Sequence, residues 1–211
     1  MNQTLSTSTW RNVKSPTPMI AQYLQVKEQQ EDALLFYRMG DFYEMFFEDA
    51  EIAARELGIT LTKRGKSDGD DIPMCGGPVH AMDGYLARLI KAGHRVAICE
   101  QVEDPATQKQ RGGKGPLKRA VVRVLTPGTL TEDELLSPRQ NNYLAALGRS
   151  GEAIAVAWAD MSTGAFMVQE IAESGLETLI AMLDPAEMLL PTDFLDPEWL
   201  NGDELCISRQ V

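Results

Sequence analysis

Cysteine is scarce in this chain, positive charge is in deficit, and no long apolar run occurs. The three cysteines, Cys75, Cys99 and Cys206, lie far apart and form no CxxC pair. That spacing excludes a disulfide framework and a zinc knuckle, and fits a reduced, cytoplasmic protein. The two histidines, His80 and His94, fall at opposite ends of one predicted helix. A zinc site needs three or four converging ligands, so no metal is expected. The N-terminal MNQTLSTSTWRNVKS has no apolar signal core, and no segment approaches the ~18 apolar residues of a membrane span. Secretion and a membrane partner are therefore excluded. Lys and Arg number 20 against 31 Asp and Glu, for a formal charge of -11. Taken whole, that argues against nucleic acid, because phosphate must be met by cations. The average conceals an asymmetry, however. Residues 1–130 carry 17 basic and 16 acidic side chains, whereas residues 131–211 carry 3 and 15. Such a step suggests two modules with different partners.

What is present is an ordinary globular composition. The chain has 211 residues, 44% hydrophobic and 24% charged, enough for one large domain or two small ones. Residues 1–15 read as a polar, mobile arm. Met19–Gln29 has helical apolar spacing, and Ala33–Met39 is a compact apolar run of strand length ended by Gly40–Asp41. From Asp41 the period changes: Tyr43, Phe46, Phe47, Ala50, Ala53, Ala54 and Leu57 form one stripe opposite Glu44, Glu48, Glu51 and Arg55. This predicts an amphipathic helix beginning at Asp41 and closed by Gly58.

Ile59–Thr62 reads as a strand, Lys63–Asp71 as a polar turn and Ile72–Cys75 as a short strand. His80–Gly93 reads as a second amphipathic helix. Arg95–Gln101 and Ala120–Leu125 read as strands flanking a loop, Asp104–Lys118, that carries Arg111, Lys114 and Lys118 among glycines and prolines. Thr126–Pro127–Gly128 punctuates the chain, and Thr131–Gln140 reads as a short acidic helix. Ala153–Ala159 and Ala165–Glu170 form a predicted hairpin around Asp160–Gly164, followed by a helix over Leu176–Leu183 and a short strand over Glu187–Leu190. The fold class is thus α/β in both halves. The last segment, Leu205–Val211, stops in mid-element, so the second unit is expected to be truncated.

Two apparent sites fail on their chemistry. Arg64–Gly65–Lys66–Ser67 looks like the end of a phosphate-binding loop, but position 60 is Thr60 and DGDD, not a helix, follows Ser67. Such a loop needs its glycine and its helix N-terminus to surround phosphate with amides. Asp160 ends an apolar strand, where a two-metal nuclease would place its first carboxylate. One carboxylate does not make that site, and Asp before a turn is ordinary turn chemistry.

The informative stretch is Phe36–Phe46, FYRMGDFYEMF. On the helix reading, Phe42 lies just past an N-cap Asp41 and its ring protrudes or packs at the rim of the core. Glu44 lies on the polar face, where Asp41-x-x-Glu44 also fits a capping box worth ~1 kcal/mol. Arg38, between the apolar run and Gly40, is placed to organise this segment.

The run LLFYRMGDFYEMF, followed in order by ITLTKRGK, IPMCGGP, GYLARLIKAGHRVAICEQ, EDPATQ and VVRVLTPGT, resembles the N-terminal region of the MutS family of bacterial DNA mismatch repair proteins. The resemblance implies a mixed-sheet α/β mismatch-recognition domain over residues 16–127. After it would come a connector domain over residues 128–211, ribonuclease-H-like in fold without nuclease chemistry. It places the family's Phe-x-Glu mismatch reader on Phe42 and Glu44. Phosphate contacts are expected from Lys63, Arg64, Lys66, Arg111 and Lys114, with Lys109, Lys118 and Arg119 nearby. It implies mismatched double-stranded DNA as partner and other repair proteins at the connector. ATP, Mg²⁺ and a homodimer belong to the full-length protein alone, so the fragment is expected not to be an enzyme. The chain departs from the family at Gly77 and Val79, where a Val and an aromatic are usual.

The implied mechanism is discrimination by deformability. An aromatic wedge in the minor groove unstacks a base step at a few kcal/mol and regains ~1–3 kcal/mol by stacking on one base. A mispair resists deformation less, which tips the balance toward binding. Glu44 accepts a hydrogen bond when ionised, or donates one when protonated. The alternative is an acidic protein-interaction module docking repair partners, with little DNA binding of its own.

Overall fold

The computed structural model describes residues 9–67, 69–110, 112–131, 135–137, 140–192, 194 and 206–210. The chain divides into two compact units, Met1–Val124 and Leu125–Val211.

In the first unit, helix α1 (Pro18–Glu28) starts with Pro18 in its first turn, and the Thr17 side chain accepts a hydrogen bond from the Ile20 amide. This is the ordinary chemistry of a helix start. Strand β1 (Ala33–Met39) turns through Gly40 into β2 (Phe42–Phe46), and helix α2 (Phe47–Leu57) follows. Next come β3 (Thr62–Ser67), β4 (Asp70–Pro78), a 3-10 turn over Val79–Ala81 and helix α3 (Met82–Lys91). Strand β5 (Arg95–Gln101), the short helix α4 (Pro105–Gln110) and β6 (Arg119–Leu125) complete the unit. The sheet order is β3-β4-β2-β1-β5-β6. β1 runs parallel to β5 and antiparallel to β2, so the sheet is mixed.

The expected helix from Asp41 is a strand as far as Phe46. Gly40 takes φ 63, which reverses the chain into a tight hairpin, and β2 then pairs with β1 on one side and β4 on the other. Pairing on both edges overrides a local pattern that fits either period. The Asp41-x-x-Glu44 capping box therefore does not form. Helix α2 has Phe46 at its N-cap position without a side-chain cap, and Glu48 and Asp49 in its first turn complement the dipole instead.

The polar turn expected over Lys63–Asp71 is also strand. β3 and β4 form a hairpin with a bulge between Lys63 and Lys66, which puts Lys63, Arg64 and Lys66 on an edge strand. Charged residues on such an edge deter pairing with other chains. The loop over Asp104–Lys118 contains α4. The arm expected over residues 1–15 lies partly outside the described residues, but Trp10 is buried in the core and Arg11 pairs with Glu31.

A buried ion pair ties the helices to this sheet. Lys27 Nζ lies 2.9 Å from Asp49 Oδ1 and donates to the Ala33 carbonyl, while Asp49 Oδ2 accepts from the Leu35 amide and the Tyr23 hydroxyl. Burial pushes the Asp49 carboxyl up, and Lys27 opposes that shift. Tyr23 packs edge-on against Tyr37 and Phe46, which seats α1 on one face of the sheet.

In the second unit, β7 (Tyr143–Ser150), β8 (Ala153–Asp160) and β9 (Ala165–Ile171) run antiparallel. After helix α5 (Leu176–Leu183), β10 (Glu187–Pro191) lies parallel to both β7 and β11 (Cys206–Gln210). The order is β11-β10-β7-β8-β9, a second mixed sheet. Leu176 and Ile180 of α5 pack on Ile154, Val156, Leu147 and Met188. The expected hairpin, helix and short strand all form here. Thr126–Pro127–Gly128 is the start of a 3-10 turn (Pro127–Thr129) capped by Thr126, with Pro127 and Gly128 buried, rather than a loose punctuation. Gly128 donates to Glu187, and a Cβ on it would lie 2.8 Å from the Glu187 Cβ. The acidic helix expected over Thr131–Gln140 falls in good part outside the described residues.

Candidate nucleic-acid interface

Because residues alternate across a strand, the strand at Phe42–Phe46 decides what the Phe-x-Glu spacing does. Phe42 and Glu44 share one face, about 7 Å apart along the strand, and Tyr43 turns to the other. Phe42 is 51% exposed at the tip of the β1–β2 hairpin, opposite Met39 and Pro78. Tyr43 is buried, and its hydroxyl bonds Glu100. Burial and that bond push the phenol up to about 12.

Arg38 lies at the end of β1, beside the turn. Its Nε donates to the Gly40 carbonyl, its guanidinium carbon lies 5.4 Å over the Tyr43 ring, and Nη1 is 3.5 Å from Glu100. It braces the turn that carries Phe42. The turn is also held from the 3-10 turn after β4, where the Val79 amide donates to the Asp41 carbonyl at 3.0 Å.

Glu44 and Arg64, twenty residues apart, form an ion pair. Arg64 Nη1 lies 2.6 Å from each carboxylate oxygen. Burial raises the Glu44 carboxyl above its ordinary value, and the charges of Arg64 and, more weakly, Arg119 work against that rise. On β4 the residue opposite Glu44 is Gly76, where a Cβ would lie 2.5 Å from the Tyr43 carbonyl oxygen and 3.4 Å from the Glu44 Cγ. Only glycine leaves room there.

The remaining expected phosphate contacts separate into groups. Lys63 is exposed and pairs with Asp71 at 2.7 Å, which raises its pKa. Lys66 is exposed on the same strand. Lys114 is exposed in the segment beyond α4, and Arg111 lies outside the described residues. Arg119 is committed to structure. It donates to the Arg38 and Leu117 carbonyls and to Gln22, and lies 4.9 Å over the Tyr37 ring. It holds the base of the hairpin strand, a role that sequence reasoning missed because its partners lie up to 97 positions away.

Gly77, one of the two departures from the family pattern, has a local complement. A Cβ at position 77 would lie 2.3 Å from the Tyr85 ring, so the α3 tyrosine fills the space that a larger residue would take. Cys75 and Cys99 are buried thiols that burial pushes up to about 12 and about 11. Asp160 accepts from the Ser162 amide and hydroxyl and the Thr163 amide of its own turn, and from the Asn142 amide just before β7. The Ser162 hydroxyl is the largest cause of its lowered pKa. Arg64–Ser67 belongs to a strand hairpin, without the helix N-terminus that phosphate binding needs.

Fold and site together define a two-unit α/β protein whose first sheet presents an exposed aromatic and a carboxylate on one hairpin face. Residues 17–134 match the family model of MutS domain I, and residues 142–210 match MutS domain II. The chain belongs to the MutS family of DNA mismatch repair proteins. It is 58% identical over 187 residues to the DNA mismatch repair protein MutS of Rhizobium meliloti (strain 1021), a match covering 86% of this chain and 20% of that protein. The MutS of Ruegeria sp. (strain TM1040) is 59% identical over 176 residues, covering 83% of this chain and 20% of the relative. That of Nitrobacter hamburgensis is 58% identical over 179 residues, with 82% and 20% covered. The chain thus spans about a fifth of the length of the curated relatives it matches. Among the described residues, no helix is long and apolar enough to cross a membrane.

Proposed function

We propose that residues 16–127 sense mismatched or unpaired positions in double-stranded DNA, with Phe42 as a minor-groove wedge and Glu44 as a hydrogen-bonding reader beside it. The observation that carries this reading is the half-exposed Phe42 ring at a hairpin tip, on the same face as Glu44. A large aromatic at a rigid tip loses little conformational freedom on binding, and base stacking repays the cost of unstacking. Glu44 near the duplex repels intact phosphates, which penalises non-specific contact. Lys63, Arg64, Lys66, Arg111 and Lys114 are the proposed phosphate contacts, and Arg38 positions the wedge. In a full-length relative, this recognition would start repair. ATP, Mg²⁺ and homodimerisation would be supplied by chain outside these two domains, in the bacterial cytoplasm, so no catalysis is assigned to this segment.

The test is equilibrium binding of duplexes that are fully paired, carry one G·T mispair, or carry one unpaired base. Wild type should prefer the imperfect duplexes. Phe42→Ala should remove that preference by ~10–100-fold, the equivalent of ~1–3 kcal/mol of stacking, while leaving the melting temperature unchanged. A preference that survives Phe42→Ala would eliminate the wedge.

A second reading has its own observation. Phe166, Met167 and Val168 are all exposed on β9, an edge strand of the acidic unit. Exposed apolar edges are places where partners add, so residues 128–211 are proposed as a connector that docks other repair proteins.

A further inference from the structure

Three features converge on Arg64. Its contact with Glu44 reaches past an entire strand, because β4 lies between β3 and β2. The bulge between Lys63 and Lys66, with Gly65 at φ 73, takes Arg64 out of regular register. Bulges recur where a side chain must be re-aimed. Finally, Gly76 places no side chain against the carboxylate. A single nitrogen, Nη1, serves both carboxylate oxygens, while Nε and Nη2 bond no described residue. A guanidinium has five donors, so the ion pair leaves part of the fork available.

We propose that Arg64 is a positioning residue for Glu44, holding the carboxylate on the Phe42 side of the hairpin and bridging it to a DNA phosphate through its remaining donors. The proposal rests on the DNA-reading role assigned to Glu44 above and adds what holds that reader. A bridge of this kind offsets the carboxylate's repulsion from the backbone. It also keeps Glu44 in the acceptor form, since a cation beside a half-buried carboxylate favours ionisation. The charged groups facing Glu44 are Arg64 from β3 and, at longer range, Arg119 from β6. Opposite it, β1 presents the neutral Tyr37 and β4 presents Gly76.

The experiment uses the 211-residue chain as wild type, Arg64→Gln, Arg64→Lys, Glu44→Gln and the Glu44→Gln/Arg64→Gln double variant. Binding to fully paired and single-unpaired-base duplexes is measured between about pH 5 and 8, and the Glu44 carboxyl is titrated by NMR without DNA. Arg64→Gln should lower the ratio of imperfect to paired affinity about tenfold, as loss of one charge-assisted contact would. The double variant should be no worse than Glu44→Gln alone, Arg64→Lys should restore part of the ratio, and the Glu44 midpoint should rise in Arg64→Gln. The proposal is overturned if Arg64→Gln weakens both duplexes by one factor, adds fully to Glu44→Gln and leaves the Glu44 midpoint in place. A wild type without preference for imperfect duplexes would instead overturn the function proposed above, and the NMR midpoint would still judge the hold of Arg64 on Glu44.

Discussion

The β1–β2 and β8–β9 hairpins each carry a carboxylate near a tight turn, and the two carboxylates have opposite fates. Asp160 accepts from Ser162 and Thr163 of its own turn and from the Asn142 amide just before the neighbouring β7. Glu44 accepts nothing from its own turn, and its cation arrives from another hairpin. A carboxylate satisfied locally makes a turn and little else. One held by a remote cation, beside an exposed ring, breaks the local rule, as residues at working sites commonly do.

The contrast can be broken most forcefully from below. Lys27→Met leaves the Asp49 carboxylate buried without its cation, which should cost ~3–5 kcal/mol. Since Asp49 also accepts the Leu35 amide, hydrogen exchange should show β1 and β2 losing protection while β8 and β9 keep theirs. Equal loosening of both hairpins would contradict that separation.

Asp160→Ala should act in the opposite region, at ~1–3 kcal/mol for turn donors left without their acceptor. Its effect should appear as faster exchange in β8 and β9, with the preference for imperfect duplexes unchanged.

Acid sharpens the comparison, because the two carboxylates titrate against folding in opposite senses. The lowered pKa of Asp160 stabilises the fold above the ordinary carboxylate range, and this is lost as pH falls through the lowered value. The raised pKa of Glu44 favours the fold only in the protonated form, below the ordinary value, and this is lost as pH rises through the raised one. Denaturant unfolding should therefore show the deficit of Asp160→Asn shrinking on acidification. The relative stability of Glu44→Gln over wild type should grow as pH rises. The smallest effect is expected from Lys66→Gln, which should reduce the salt slope of DNA binding by about one unit without altering mismatch preference.

Much of this was legible in the chain itself. The second hairpin, α5 and the short strand at Glu187 follow from apolar runs of strand and helix length and from turn residues at Asp160–Gly164, where local chemistry and tertiary placement agree. The helix assigned from Asp41 shows where that agreement ends. Tyr43, Phe46 and Phe47 fit a helical stripe as well as a strand, and only β1 and β4 on either side settle the matter. Phe42 and Glu44 were identifiable as a pair, but their common face was not. Likewise Lys63, Arg64 and Lys66 were visible as one basic cluster, although the structure gives the first to Asp71 and the second to Glu44.

The opening deficit of positive charge divides along the same line. Sequence alone determined that the acidic surplus lies beyond residue 130, that the cysteines form no framework, and that Phe42 and Glu44 stand two residues apart, because composition and spacing are properties of the chain. Which charges remain for a partner was decided by the tertiary fold. Arg119 and Arg38 are absorbed in bracing the hairpin, and Arg64 is drawn to Glu44 past β4. Partners brought together by a sheet are separated by tens of residues along the chain, so no local pattern records them.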